Sequence, residues 1–461
     1  MDRFRHRWGA VRRHAVMSPL DGPISQLVAA VQTGAVTPKA LVAEALARAE
    51  ARNPAINAIC QINPHALTEA ENVSKRLQTG ETLPLAGVPV LIKDNIWVAG
   101  LRCAQGSKLF ADFIAPQDAE AVTRLRVAGA VIIGISTCSE FACKGATNSP
   151  LQGITRNPVN PDLTPGGSSG GSVAAVAAGI VPLALGTDAG GSSRRPPAHT
   201  GLCGFKPTQD LIPYGPCHDE PVWGISVICP IARRMEDISL AMQSLAGLEP
   251  VPAPMLEIAA SSDFGTGQAL DRDVAANFDK VLGVLEGAGV SVTQAQIDWP
   301  GTIKGHSILP LQCAGLADLY GDIWRETPEL FDPAIAGQIE TGLSFTGVDV
   351  AGAHQISHQM RETLRAALDR YGVIATPTTP CAAWPAAQDA PTRIGGTPAG
   401  PRDHAAFTPQ INHAGVPALS LPCGTDGDGR PLGLQLIARA GHDAELIALA
   451  RRLEPLLKEI A

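Results

Sequence analysis

The chain has 461 residues, 45% of them hydrophobic and 17% charged, and its 36 basic and 44 acidic side chains give a formal net charge of −8. That length and composition fit one large α/β domain or two to three smaller ones, and a mildly acidic chain with no Lys/Arg block beyond its N-terminus offers no footprint for nucleic acid or an anionic membrane. A small-molecule partner is the expectation, and the ten cysteines, none in a C-x-x-C pair, read as reduced thiols of a cytoplasmic protein and argue against a zinc site or a dense disulfide framework.

In chain order, the opening MDRFRHRWGAVRRHAV carries five arginines but no apolar region or small-residue cleavage site, so residues 1–20 read as a basic extension without fixed structure, ahead of a folded domain over 21–461. Helical patterns are expected near 23–33, 38–52, 65–79, 117–129, 234–246, 271–288, 349–371 and 443–458. Between them, short β-branched or apolar runs predict strands at 88–92, 131–135, 181–185, 373–375, 418–421 and 432–437. This alternation predicts a single sheet covered by helices on both faces. Glycine and proline are spread through the chain and mark no linker, which favours one compact domain, with about 247–400 as its least regular part. The longest apolar run, Val173 to Leu185, is broken by Gly179 and Pro182 and is well short of the roughly 20 residues a bilayer span needs.

The motifs cluster within 87–208. The stretch TPGGSSGG (164–171) has a linker's composition, yet no charged residue occurs between Asp162 and Asp188. A solvated linker is therefore the weaker reading, and a buried turn in which glycines permit close approach to Ser168 and Ser169 is the stronger. A second cluster, GTDAGGSSR (186–194), follows an apolar strand, where consecutive unobstructed N–H groups can form a nest for an oxyanion around a serine. Taken alone, a glycine-rich turn with serine as a helix cap is the commoner meaning. A hydroxyl nucleophile also needs a base. The G-x-S-x-G matches lack the preceding strand of a nucleophile elbow, since NPVNPDLTP is turn-forming sequence. Neither cluster continues into a P-loop, and His354 with His358 lacks a third metal ligand. Lys93, closing GVPVLIK (87–93), remains. A lysine at a strand end usually reaches water. Buried beside serines, its pKa falls from about 10.4 and the neutral amine can take a proton.

GVPVLIK, GGSSGG (166–171) and GTDAGGSSR, in this order and spacing, resemble the amidase signature family. So do SEFACKGATNSPLQGITRNP, GLCGFKPT, PIARRMEDISLAM and GVPALSLPCG, so that the likeness is dense over about 21–246 and looser over 373–461. The resemblance implies one large domain with a central mixed sheet. It implies Ser192 as acyl-forming nucleophile, Ser168 after a cis peptide bond as proton relay, and Lys93 as the base. Ala189, Gly190, Gly191 and Ser192 would supply the oxyanion-hole N–H groups, and Ser169, Asp188 and Arg194 would support the loop. No metal or organic cofactor is implied.

Arg195 and Pro197 depart from the family's usual residues, and altered packing is the expectation there. Ala142 and Cys143 lie on the loop that lines the acyl side in relatives, with Lys144 beside them. Cys143 and Lys144 replace the Met and Gly more usual in that loop, which puts the substrate in question. Trp223 could floor a pocket for a bulky group. The expected partner is a small amide, aryl amides and carbamates included, acted on by a monomer or homodimer. The competing role implied by the same motifs is that of the glutaminase component of a tRNA-dependent amidotransferase, working within a larger complex. The region 247–400 and the altered loop favour the free hydrolase.

Overall fold

The computed structural model describes residues 18–254, 257–300, 309–458 and 460. Of the basic extension, residues 1–17 lie outside the described residues. Ser18 caps a short 3-10 turn over Pro19–Asp21, and Leu20 is buried there.

One eleven-stranded mixed sheet organises the chain, with helices on both of its faces. Its strands are β1 (Ile59–Ile62), β2 (Pro89–Lys93), β3 (Val131–Ser136), β4 (Leu183–Asp188), β5 (Cys203–Lys206), β6 (Val227–Ala232), β7 (Glu257–Ala260), β8 (Ser291–Gln294), β9 (Val373–Pro377), β10 (Ala418–Thr425) and β11 (Pro431–Ala438). Their spatial order is β1-β3-β2-β4-β6-β5-β10-β11-β9-β7-β8. The six strands expected from sequence all occur. β2, β3 and β4 are buried along their whole length, which is why they read as continuous apolar runs without alternation.

The helices are α1 (Ile24–Gln32), α2 (Pro38–Ile56), α3 (Ala66–Gln78), α4 (Glu120–Val127), α5 (Gly170–Ala177), α6 (Arg195–Thr200), α7 (Met235–Ala246), α8 (Arg272–Gly287), α9 (Leu309–Glu326), α10 (Pro333–Leu343), α11 (Gly347–Tyr371), α12 (Pro409–Ala414) and α13 (Asp443–Lys458). Local chemistry marks their ends. Thr37 caps α2 with Pro38 in the first turn, and Asn57 ends it in the left-handed conformation. Thr346 and Asp349 form a capping box on α11.

The segment 247–400 departs from its expected irregularity. It holds β7, β8 and β9 and four helices, α8 to α11, of 16, 18, 11 and 25 residues. Interior glycines obscured two of these, because glycine lowers helix propensity. In α9 a Cβ on Gly315 would stand 2.1 Å from the Pro221 carbonyl oxygen, and in α10 one on Gly342 would stand 2.0 Å from that of Cys313. Gly342 marks the close crossing of α10 on α9, and Gly315 the close approach of α9 to the turn at Pro221.

Parallel pairing of β2 with β4 positions the site. Leu91 and Ile92 lie opposite Ala184 and Leu185, so the last residue of β2, Lys93, ends beside the glycine–serine loop that leaves β4. α5, which packs on both strands, begins at Gly170, and this carries Ser168 and Ser169 to the same sheet edge.

Candidate active site

Lys93 has no exposed surface, and its Nζ lies 2.7 Å from Ser168 Oγ and 2.8 Å from Thr187 Oγ1. Asn95 Nδ2 donates to the same threonine oxygen at 3.0 Å. Burial pulls the lysine down to about 8, partly offset by the fields of Cys138 and Asp188. The uncharged amine, with Thr187 as hydrogen-bond acceptor, has a free lone pair for the Ser168 hydroxyl. The Gly167–Ser168 peptide bond is cis.

The loop after β4 is held by one carboxylate. Asp188 accepts from the backbone N–H of Gly191 at 2.7 Å and of Ser193 at 3.1 Å, from Arg194 at 2.9 and 3.0 Å, and from Asn412 Nδ2 at 2.9 Å. Burial alone raises a carboxyl group, but here the Arg194 charge and these hydrogen bonds hold it well below the ordinary carboxylate range. Arg194 is also fully buried. It donates onward to Gln435 Oε1 at 2.9 Å, Asn412 Oδ1 at 2.6 Å and the Thr408 carbonyl at 3.1 Å. Ser169 Oγ donates to the Thr187 carbonyl at 3.2 Å. Ser169, Asp188 and Arg194 thus form the frame on which Ser192 is mounted.

Ser192 stands where two clefts meet, and Ala142, Ala189 and Gln312 line both with it. One cleft, of about 430 Å³, includes Ser168, Thr187, Asn95, Phe141, Cys143, Tyr214, His218 and Glu220. The other, of about 520 Å³, includes Gly190, Lys144, Arg195, Arg402 and Gln410. Cys143 is buried, and its carbonyl accepts from Gln312 Nε2 at 3.1 Å and Arg402 Nη2 at 2.7 Å, which fixes the 142–144 loop against the distant part of the chain.

Three expectations are corrected. Gly191 has its N–H on the Asp188 carboxylate and does not line either cleft, so the donors available beside Ser192 are those of Ala189, Gly190 and Ser192 itself. Trp223 is 47% exposed, lines neither cleft and spends its Nε1–H on the Leu311 carbonyl at 2.9 Å, with its ring edge-on to His354. Its neighbours Pro221 and Val222 line the site instead. Arg195, expected to alter packing, opens into the larger cleft.

Thr187 and Asn95 were legible in principle, since each lies within two residues of a singled-out motif residue. Gln312, Arg402 and Gln410 had no local signal. Among the described residues no group of three or more His, Cys, Asp or Glu is placed to hold a metal, and no helix is long and apolar enough to cross a membrane.

A family model described as Amidase matches residues 40–447. The A component of the glutamyl-tRNA(Gln) amidotransferase of Deinococcus radiodurans is 35% identical over 476 residues, covering 93% of this chain and 96% of its own length. Its namesake from Thermus thermophilus is 31% identical over 93% of this chain and 96% of its own length. Among solved structures, one described as an amidase is 30% identical, covers 94% of this chain and 99% of its own and superposes with a TM-score of 0.86. A bacterial aryl acylamidase superposes with a TM-score of 0.87 over 95% of this chain and 97% of its own, and at 23% identity it speaks for the fold alone.

Proposed function

The chain belongs to the amidase family, and from this membership we propose that it hydrolyses the C–N bond of a small carboxamide through an acyl-enzyme on Ser192. The observation that carries the reading is Lys93, wholly buried, 2.7 Å from the Ser168 hydroxyl and with its pKa near 8, so that an uncharged amine is accessible close to neutral pH.

In this reading Ser192 Oγ attacks the carbonyl carbon while its proton passes to Ser168 and the Ser168 proton to Lys93. The oxyanion is received by the N–H groups of Ala189, Gly190 and Ser192. Lys93 then returns the proton through Ser168 to the nitrogen, the C–N bond breaks, and an ester on Ser192 remains. Water, deprotonated along the same chain, attacks the ester, giving the free acid and restoring Ser192. Asp188 and Arg194 position the loop and do not touch the reacting atoms.

Aryl amides and carbamates were the expected finer class. With Trp223 outside the site, the aromatic floor that motivated them is gone, and the superposition on an aryl acylamidase, which speaks for the fold alone, does not replace it. A second reading has its own support. The relatives from Deinococcus and Thermus, each similar over nearly their whole length, are named as components of an amidotransferase, which favours glutamine as substrate and a larger assembly as setting.

One experiment addresses both. The purified chain is assayed on glutamine, simple carboxamides, acetanilide and a carbamate, beside S192A and K93A. Hydrolysis by the chain alone, with either variant at least about 10⁴-fold slower, is the expected outcome. Near-normal turnover by either variant removes the mechanism. Activity confined to glutamine, or dependent on added partner proteins, selects the second reading.

A further inference from the structure

Among the described residues that line the smaller of the two clefts at Ser192, one carries a formal charge, and it is negative. This is Glu220, whose carboxylate makes no ion pair among the described residues and accepts only from the Ser226 hydroxyl and the backbone N–H of Gly224. Burial raises its pKa, these two hydrogen bonds pull it back, and no described cation contributes. Lys144, Arg195 and Arg402 line the larger cleft and none of them the smaller. His218, beside Glu220 in the smaller cleft, is no counter-ion. Burial holds its pKa below the ordinary histidine value, its Nε2 meets the Cys103 carbonyl at 3.1 Å, and its ring stacks on Phe110 at 4.4 Å.

An anion drawn out of water without a cation beside it is costly. Holding the turn that follows it does not exhaust this acid, because a carboxylate has about four acceptor sites and Gly224 and Ser226 take two of them. A second group in the same cleft is also short of a partner. Gln105 is 5% exposed, its backbone lies in the left-handed region at φ 52°, and its Nε2 makes no hydrogen bond within the fold. Side chains other than glycine are uncommon in that conformation. Phe141, Pro221 and Val222 add apolar wall. An acid without a counter-ion, an amide that can turn its oxygen inward and apolar walls together suit a short aliphatic chain ending in an ammonium group.

We propose that Glu220 binds an ammonium group carried by the departing amine, so that the substrate is a mono-N-acylated aliphatic diamine. This rests on the reading of Ser192 as nucleophile. Ser168, which hands the proton to the departing nitrogen, lines the smaller cleft and not the larger, so the leaving group lies on the side of Glu220. The carboxylate takes the charge, Gln105 Oε1 accepts a further N–H, and the apolar walls cover the methylenes. A primary amide such as glutamine releases ammonia, which brings no second charge to the acid. Hydrolysis adds one water across the C–N bond: the acyl carbon keeps the water oxygen and leaves as a carboxylate, and the nitrogen leaves as an amine that takes up a proton. An acylated monocation thus becomes a carboxylate and a diammonium dication.

The test measures kcat/KM on the mono-N-acetyl derivatives of ethylenediamine, trimethylenediamine, putrescine and cadaverine, each beside the amide in which a methyl replaces the ammonium (N-propyl-, N-butyl-, N-pentyl- and N-hexylacetamide), and on acetamide and L-glutamine. The constant acyl group confines the comparison to the leaving-group side. The best cationic amide is expected to exceed its neutral counterpart by about tenfold or more. E220Q, which keeps an acceptor for Ser226 and Gly224, is expected to bring that ratio to within about twofold of one, and E220D to retain part of it. A merely structural role for Glu220 would slow both members of a pair together and leave the ratio unmoved. Because a variant can misfold, the free diamines are also tested on the wild-type protein for protection of Ser192 against a fluorophosphonate, beside the n-alkylamines that lack the second ammonium. Selective protection by a diamine supports the proposal. A substrate ratio near one, diamines no better than alkylamines, or acetamide or glutamine outrunning every cationic amide overturns it. The same label keeps the two readings apart: labelled protein that is indifferent to diamines sinks the ammonium site, whereas unlabelled protein sinks the nucleophile.

Discussion

At Lys93 a single physical quantity, the cost of keeping an ammonium group out of water, sets the proposed chemistry. The folded-state pKa of about 8 lies below the 10.5 of a solvated lysine, so lowering the pH charges the amine and removes the acceptor for the Ser168 proton. The sign is therefore fixed: kcat/KM should rise with pH through an inflection near 8 and level off above it, as read from a pH profile on a substrate that does not titrate in this range. A profile flat between 6 and 9 would remove Lys93 as the base. The three residues of the proposed relay could be singled out because each stands in a short motif whose glycines and apolar neighbours imply burial. Arg195 was misread for the opposite reason. Its meaning depends on Arg402, 207 residues later, and no neighbouring residue signals that the two share a cleft.

At the scale of elements, the proposed relay depends on α5 sitting very close to the strand ends. A Cβ on Gly171 would stand 2.4 Å from Thr137 N and 2.5 Å from Thr137 O, both backbone atoms at the end of β3. G171A should therefore lower the unfolding free energy by about 1–3 kcal/mol, seen as a lower urea midpoint. It should also slow turnover, because any retreat of α5 draws Ser168 away from Lys93. An unchanged midpoint would mean that the contact relaxes freely. β2 and β4 were readable from their unbroken apolar character and the helices around them from their 3.6-residue period. α9 and α10 were not, because Gly315 and Gly342 serve close approaches, to a turn and to a helix, that become visible only once Pro221 and Cys313 are brought near.

At the scale of the whole molecule, the loop bearing Ser192 is built by one half of the chain and secured by the other. Asn412 Nδ2 donates to both the Asp188 carbonyl and its carboxylate at 2.9 Å, across 224 residues of sequence, and Gln435 and Thr408 take the remaining donors of Arg194. N412A should cost about 1–3 kcal/mol by leaving these buried groups short of partners, measured by urea denaturation. It should lower kcat more than it raises KM, since the substrate clefts keep their walls while the loop loosens. This long-range clamp accounts for what sequence alone left unread. Composition and motif order indicated one α/β domain and singled out Lys93 and the two serine loops, but not which residues from 309 onward close around them.

A ribosome makes the polypeptide from its N-terminal end, so the strand ending in Lys93 and both serine loops emerge long before the asparagine and glutamine that hold them in place. Until they do, the proposed nucleophile is an ordinary hydroxyl on an unsecured loop. Hydrolysis by this route waits until Asn412 and Gln435 have both been made.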